Sequence, residues 1–196
     1  MAQRQSTEER RRQIAEAALQ IIAEHGIGKF TTAAIAEEVG LAEGTIFRHF
    51  STKQDIVLAA IGLMKDRFSE GFPPEHQDPL ERLGIFIRGR LELVVAHPGV
   101  FRAFFSDELA HAAGKEGEAI VMQIKQESMA FIQGCLNEAI ASGQLRTGLK
   151  AEFLVRIIQG TIHAFVFGPL PVEKTWQLPS ELAQHAWQTI LTLIRR

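Results

Sequence analysis

Residues 31–53 read TTAAIAEEVGLAEGTIFRHFSTK, and the way this stretch divides into elements decides the fold. Apolar residues recur in it at offsets of three and four, the helical spacing, with no strand-type alternation. Thr31 and Thr32 suit the start of a first helix that stops at Gly40, where a positive φ lets the chain leave. A second, very short helix runs from about Glu43 to Phe50. The two meet at Gly40-Leu41-Ala42, a turn of the length used in a helix-turn-helix. Ile35, Ala36 and Val39 give the first helix an inner face, and small Ala36 permits close packing against the second. At about 100° per residue, Ile46 and Phe50 point the same way, toward neighbouring helices. Arg48 lies almost opposite them, flanked by Gly44 and Thr45.

The outward face therefore offers a guanidinium, a backbone bared by glycine and a hydroxyl. Such a face suits a major groove: Arg bonds guanine bidentately, and Thr meets a phosphate or a thymine methyl. Lys53 falls in the first turn of the next helix, where free backbone N–H groups favour a phosphate. A lysine there opposes the helix dipole, a conflict that an external anion removes. Arg10, Arg11 and Arg12 add positive charge from the N-terminal helix. The competing reading is a packed three-helix unit with an ordinary charged surface, since helix-turn-helix patterns also occur in proteins that touch no DNA.

Outward from this stretch, the chain reads as helix nearly throughout. Helices are expected from Ser6 or Thr7 to Gly26, with Thr7 as the cap, and from Ser51 or Thr52 through Phe68. Further ones run over Leu80 to His97, stopped by Pro98-Gly99, and Val100 to about Ala113. The last three span about Glu116 to Ala141, Ala151 to Phe167 before Gly168-Pro169-Leu170-Pro171, and about Ser180 to Ile194. The 196 residues carry a net charge of −2 and are 46% hydrophobic and 22% charged, ordinary for a globular protein with a real core. No run approaches the roughly 18 apolar residues of a membrane span, and MAQRQSTEERRRQ has no apolar stretch behind it, so a cytoplasmic protein with no membrane partner is expected. The single cysteine, Cys135, excludes an internal disulfide framework and a Cys-rich zinc site. Residues 1–55 hold seven Lys/Arg against eight Asp/Glu, so any nucleic-acid contact must come from where the charges sit.

Residues 10–65 resemble the N-terminal domain of the TetR family of bacterial transcriptional regulators, most closely over TTAAIAEEVGLAEGTIFRHFSTKQDIVLAAI. The resemblance implies an all-α protein with an N-terminal three-helix DNA-binding domain, residues 1–52, and a C-terminal helical bundle for ligand binding and dimerisation, residues 53–196. Composition itself shifts near residue 70. By the same resemblance, Thr32, Thr45, His49 and Lys53 match positions that touch phosphates, and Glu43, Gly44 and Arg48 match positions that face bases. Phe47 stands where the family commonly has Tyr; it can pack on the sugar-phosphate backbone but cannot donate the hydroxyl bond. The function implied is a dimeric, ligand-responsive regulator, most often a repressor, on a two-fold symmetric double-stranded operator. No cofactor, metal or enzymatic activity is expected. An adaptor that kept the helix-turn-helix but lost DNA is the alternative, supported by the charge balance of residues 1–55 and by Phe47. A helical enzyme is a weaker one, lacking an acid–base constellation.

Residues 72–196 hold most of the phenylalanines and both tryptophans. Phe86, Phe101, Phe104, Phe105, Phe131 and Phe165 fall on expected helices, with Met122 and Met129. Together with Met64 and Phe68 they are candidates to wall a cavity for an apolar or aromatic effector, oriented by Gln123, Ser128 or His163. Core packing is the competing reading for each. The helix from Glu116 looks apolar on several sides. A stripe of Phe153, Ile157 and neighbours, with Gly160 and Ala164 allowing close approach, and another of Trp187, Ile190, Leu191 and Ile194 suggest a four-helix dimer contact with two helices from each subunit. The seven histidines form no HExxH pattern, and Cys135 in an apolar stripe reads as inert core.

Overall fold

The computed structural model describes residues 6–169 and 178–196, so Leu170, Pro171 and Trp176 lie outside the described residues, as does the start of the N-terminal stretch. Among the described residues the regular structure is entirely helical, in two compact units. One comprises the chain up to Glu70 with Gly99–Ile124; the other comprises Gly71–Pro98 with Lys125–Arg196.

In the first unit, α1 (Thr7–His25) packs on α2 (Thr32–Glu38) and α4 (Lys53–Ser69), with α3 (Glu43–His49) between them in sequence. Ser6 rather than Thr7 caps α1, through a capping box in which Glu9 N–H donates to Ser6 Oγ and Ser6 N–H to the Glu9 carboxylate. Those bonds hold the Glu9 carboxyl below its usual range. Thr52 and Asp55 form the same box at the start of α4. The core is the apolar stripes of the two long helices, Ile14, Ala18 and Ile22 with Ile56, Ala60, Ile61 and Met64, all buried. Here the packed units depart from a boundary at residue 52 or 70. Two short helices, α6 (Pro98–Phe105) and α7 (Asp107–Ala112), and the start of α8 (Gly114–Ala141) belong with the helix-turn-helix. Phe68 meets the rings of Phe101 and Phe104 at 5.3 and 4.9 Å between centroids, and Gln54 Nε2 donates to the Ala113 carbonyl at 3.1 Å.

The expected helix over Val100–Ala113 is thus two helices. Pro98, read as a stop, opens α6 at a position that needs no N–H donor. Ser106 then takes extended backbone angles while its hydroxyl donates to the Ala103 carbonyl, which ends α6 and starts α7.

In the second unit, α5 (Pro79–Ala96) is capped by Asp78, whose carboxylate accepts from Leu80 and Glu81 N–H. It packs against α9 (Ala151–Phe167) and α10 (Pro179–Ile194), with the later turns of α8 in the same core. Trp187, 1% exposed, Ile190, Leu191 and Ile194 are buried inside this unit. The α10 stripe expected at a subunit interface thus packs within the chain, where α10 lies against α5. The chain end is pinned by Arg146 N–H donating to Ile194 O and Arg196 N–H to Gln144 O. α8 is not apolar all round either, for Met122, Met129 and Ile140 point outward. Among the described residues no helix is long and apolar enough to cross a membrane.

The α5–α10 contact requires Gly84, because a Cβ there would stand 2.5 Å from Trp187 Nε1 and 2.7 Å from its Cε2. Gly84→Ala should destabilise the protein by about 1–3 kcal/mol through overpacking, despite its better helix propensity. Chemical denaturation followed by tryptophan fluorescence measures this, and an unchanged midpoint would contradict the packing described.

Candidate nucleic-acid interface

Seven residues make α3, and Ala42 before it supplies no side-chain cap. Its inner face is Ile46, fully buried, with Phe50 at its end, 2% exposed. Of the rest of α3, Glu43, Gly44, Phe47 and Arg48 are exposed, while Thr45 and His49 are half-buried. Phe47 is 50% exposed, a large apolar ring that the chain leaves uncovered. At Gly44 an added Cβ would meet nothing within 4 Å and no left-handed angle demands glycine, so packing within the chain does not explain the residue. Arg48 is exposed, its Nη2 donating to Thr45 Oγ1 at 3.0 Å across one turn, which holds the guanidinium along the helix. Lys53 stands exposed in the first turn of α4. The structure thus brings Gly44, Phe47 and Arg48 to one open face, with Thr45 half-buried at its edge.

Two expected contacts are tied up inside the protein. Thr32 is 5% exposed and its hydroxyl donates to the Glu43 carboxylate. That bond joins the first turn of α2 to the first turn of α3, so Thr32 does not present a hydroxyl to a phosphate, and Glu43 already serves an internal donor. Thr31, which caps α2 through Ala34 N–H, is the exposed threonine of the pair. His49 is half-buried with its Nδ1 enclosed and lacking a hydrogen-bond partner among the described residues.

The N-terminal arginines behave unequally. Arg10 bonds Gln13, and Arg12 pairs with Glu16 one turn on. Arg11 reaches out of α1: its Nη1 donates to the His49 backbone carbonyl, and its guanidinium lies 4.1 Å from the Phe50 ring centroid. Sequence reading gave Arg11 only a general electrostatic part, since nothing local links residues 38 apart in the chain.

The residues expected to wall an effector cavity sort by unit. In the first unit Met64, Phe68, Phe101 and Phe104 are buried, with Phe105 beside them; Phe68 and Phe105 lie 6.4 Å apart between centroids. In the second, Phe86 and Phe131 pack together at 5.1 Å with Phe72, a ring the sequence reading passed over. Arg90, 9% exposed, lies over Phe86 at 5.1 Å, and burial pulls its guanidinium down to about 10. Phe165 is half-buried against the core of that unit. Met122, Gln123, Met129 and His163 instead face outward, because both helices turn other residues (Ile124 and Ile132, Ile158 and Val166) to the core. On α9 the stripe Phe153, Ile157, Gly160, Ala164 and Phe167 is exposed along its length, with Phe153 and Ile157 each 59% accessible.

Residues 14–60 match the family model described as "Bacterial regulatory proteins, tetR family". The chain is 26% identical over 157 residues to the fatty acid metabolism regulator protein of Bacillus subtilis, covering 79% of this chain and 80% of that one. It is 26% identical over 193 residues to the nucleoid occlusion factor SlmA of a Marinomonas species, covering 93% of both. Among solved structures it resembles AibR, determined in complex with isovaleryl coenzyme A and operator DNA, with a TM-score of 0.76 at 19% identity over 92% of this chain and 97% of that one. The segment that holds the helix-turn-helix and the open face of α3, residues 14–60, is thus the part of the chain that matches the tetR family of bacterial regulatory proteins.

Proposed function

We propose that the protein is a homodimeric, effector-responsive transcriptional repressor that reads a two-fold symmetric operator through α3 and carries out no catalysis. The observation that carries this is the outer face of α3: an uncovered phenylalanine, a glycine that internal packing does not require and an aligned arginine, all on one short helix. Arg48 reads a base pair, the backbone at Gly44 approaches the groove floor, and Lys53, Thr45 and His49 neutralise or bond phosphates. The division into a reading domain, residues 1–52, and an effector and dimer domain, residues 53–196, is a division of labour rather than of packing.

Self-association uses the exposed α9 stripe from Phe153 to Phe167, with the outward Met129 and Ile140 of α8 as the second helix. Small Gly160 and Ala164 let two such faces approach, and a two-fold contact supplies the symmetry that half-sites about 34–36 Å apart require. The effector we infer has an apolar body and an acidic end, as in an acyl thioester or acid. The aromatic cluster of Phe72, Phe86 and Phe131 suits the former and buried Arg90 the latter. A relative named for fatty acid metabolism and a neighbour solved with an acyl coenzyme A support this class. A coupling of about 1–3 kcal/mol between effector and DNA gives a 5–150-fold release.

The direct test is selection of binders from a random duplex pool by the purified protein. An enriched palindrome supports the proposal, and motif-free binding would favour the adaptor. With that palindrome, Arg48→Ala should relax preference at one base pair, whereas Lys53→Ala should weaken all sequences alike and flatten the salt dependence by about one unit. Equal effects would refute these roles. Gly44→Ala should raise folding stability by roughly 0.5–1 kcal/mol yet weaken operator binding, since the added methyl meets only the groove. Ile157→Asp should yield a folded monomer in analytical ultracentrifugation that no longer retains the operator; a dimer that survives it would move the interface elsewhere.

A further inference from the structure

α3 ends with carbonyls that no following turn of helix can satisfy. Phe50 N–H closes on the Ile46 carbonyl, and the carbonyl of His49, the last helical residue, accepts from Arg11 of α1. A cation there also sits well with the negative end of the helix dipole. The same guanidinium lies against the Phe50 ring, whose burial anchors the end of α3 in the core. At the other end, Thr32 of α2 holds Glu43. The reading helix is therefore gripped at both ends by side chains from other helices, and Arg48 lies one residue before the C-terminal grip.

Resting on the reading of α3 as the DNA-contacting helix, we propose that Arg11 is a positioning residue for sequence recognition: by clamping the His49 carbonyl and the Phe50 ring it sets the angle at which Arg48 meets the base edges, and it does not serve as a phosphate contact. The planar guanidinium is needed for both contacts at once, since a lysine ammonium offers a point charge without a flat face to stack.

The test compares wild type, Arg11→Gln and Arg11→Lys on the duplex selected by the wild type and on a scrambled duplex, across a salt series. Positioning predicts that both variants lose about tenfold or more on the selected duplex, as a mismatched base pair does, and keep their affinity for the scrambled one. It also predicts that the salt slope is unchanged. A phosphate contact predicts the reverse: Arg11→Gln weakens both duplexes and flattens the slope by about one unit, and Arg11→Lys restores binding. Hydrogen exchange on the free proteins reads the clamp without DNA. Faster exchange at residues 47–50 in both variants, with α1 and α4 unaffected, supports it; unchanged exchange there, or wild-type affinity in either variant, overturns it. Should the wild type select no motif, the regulator reading fails and this proposal with it.

Discussion

Two turns of helix make too few backbone hydrogen bonds to offset the cost of ordering their own residues, and α3, the helix proposed to read DNA, is no longer than that. Its order has to be borrowed. Ile46 and Phe50 supply most of it through their burial, which for two such side chains is worth several times any single polar contact. The bond from Thr32 to Glu43 then acts on direction more than on stability, because it fixes how α2 and α3 sit across their turn. A reading head must be stiff before it can discriminate, since a base edge is told from its neighbour by hydrogen-bond geometry of a few tenths of an ångström. The polar residues around α3 are divided accordingly, some bonded to other helices and some, such as Arg48, exposed on the outer face.

The second unit solves a different problem, that of having more apolar stripe than one core can take. α5 gives up a side chain at Gly84 so that Trp187 can lie across it, and α10 is thereby committed to the interior. α9 is left with one face inward, Leu154, Val155 and Ile158, and one outward, Phe153, Ile157 and Phe167. A helix apolar on both faces is covered on both in its working state, which is why a face bare in one chain implies a second surface to meet it.

Much of this was legible in the sequence. Short polar side chains such as Thr31 and Thr52 mark helix starts by bonding N–H groups three residues on, whereas the caps at Ser6, one residue before the expected Thr7, and at Asp78 emerge only in the structure. The inward and outward faces of α3 follow from its period alone. The helix break at Ser106 was not legible, because Ser is acceptable within a helix and only its surroundings make it turn. Periodicity announced the apolar stripes of α9 and α10 alike; that Trp187 faces α5 while Ile157 faces outward depends on packing between helices distant in the chain. The same reason hid the roles of Thr32 and Arg11. Each is an ordinary residue locally and acquires its partner, 11 and 38 residues away, only in the folded chain.

The residues packed with the helix-turn-helix come from two stretches, one ending at Glu70 and one running from Gly99 to Ile124. A cut after Glu70 would strip Phe68 of the rings it leans on and Gln54 of its carbonyl at Ala113. Recombination that joined this reading head to a foreign C-terminal half would have to carry a matching 99–124 segment across a non-contiguous junction. The architecture therefore resists inheritance by domain shuffling. New specificities on either side have to arise by point substitution within an intact chain, with the head and the body of the molecule evolving in each other's company.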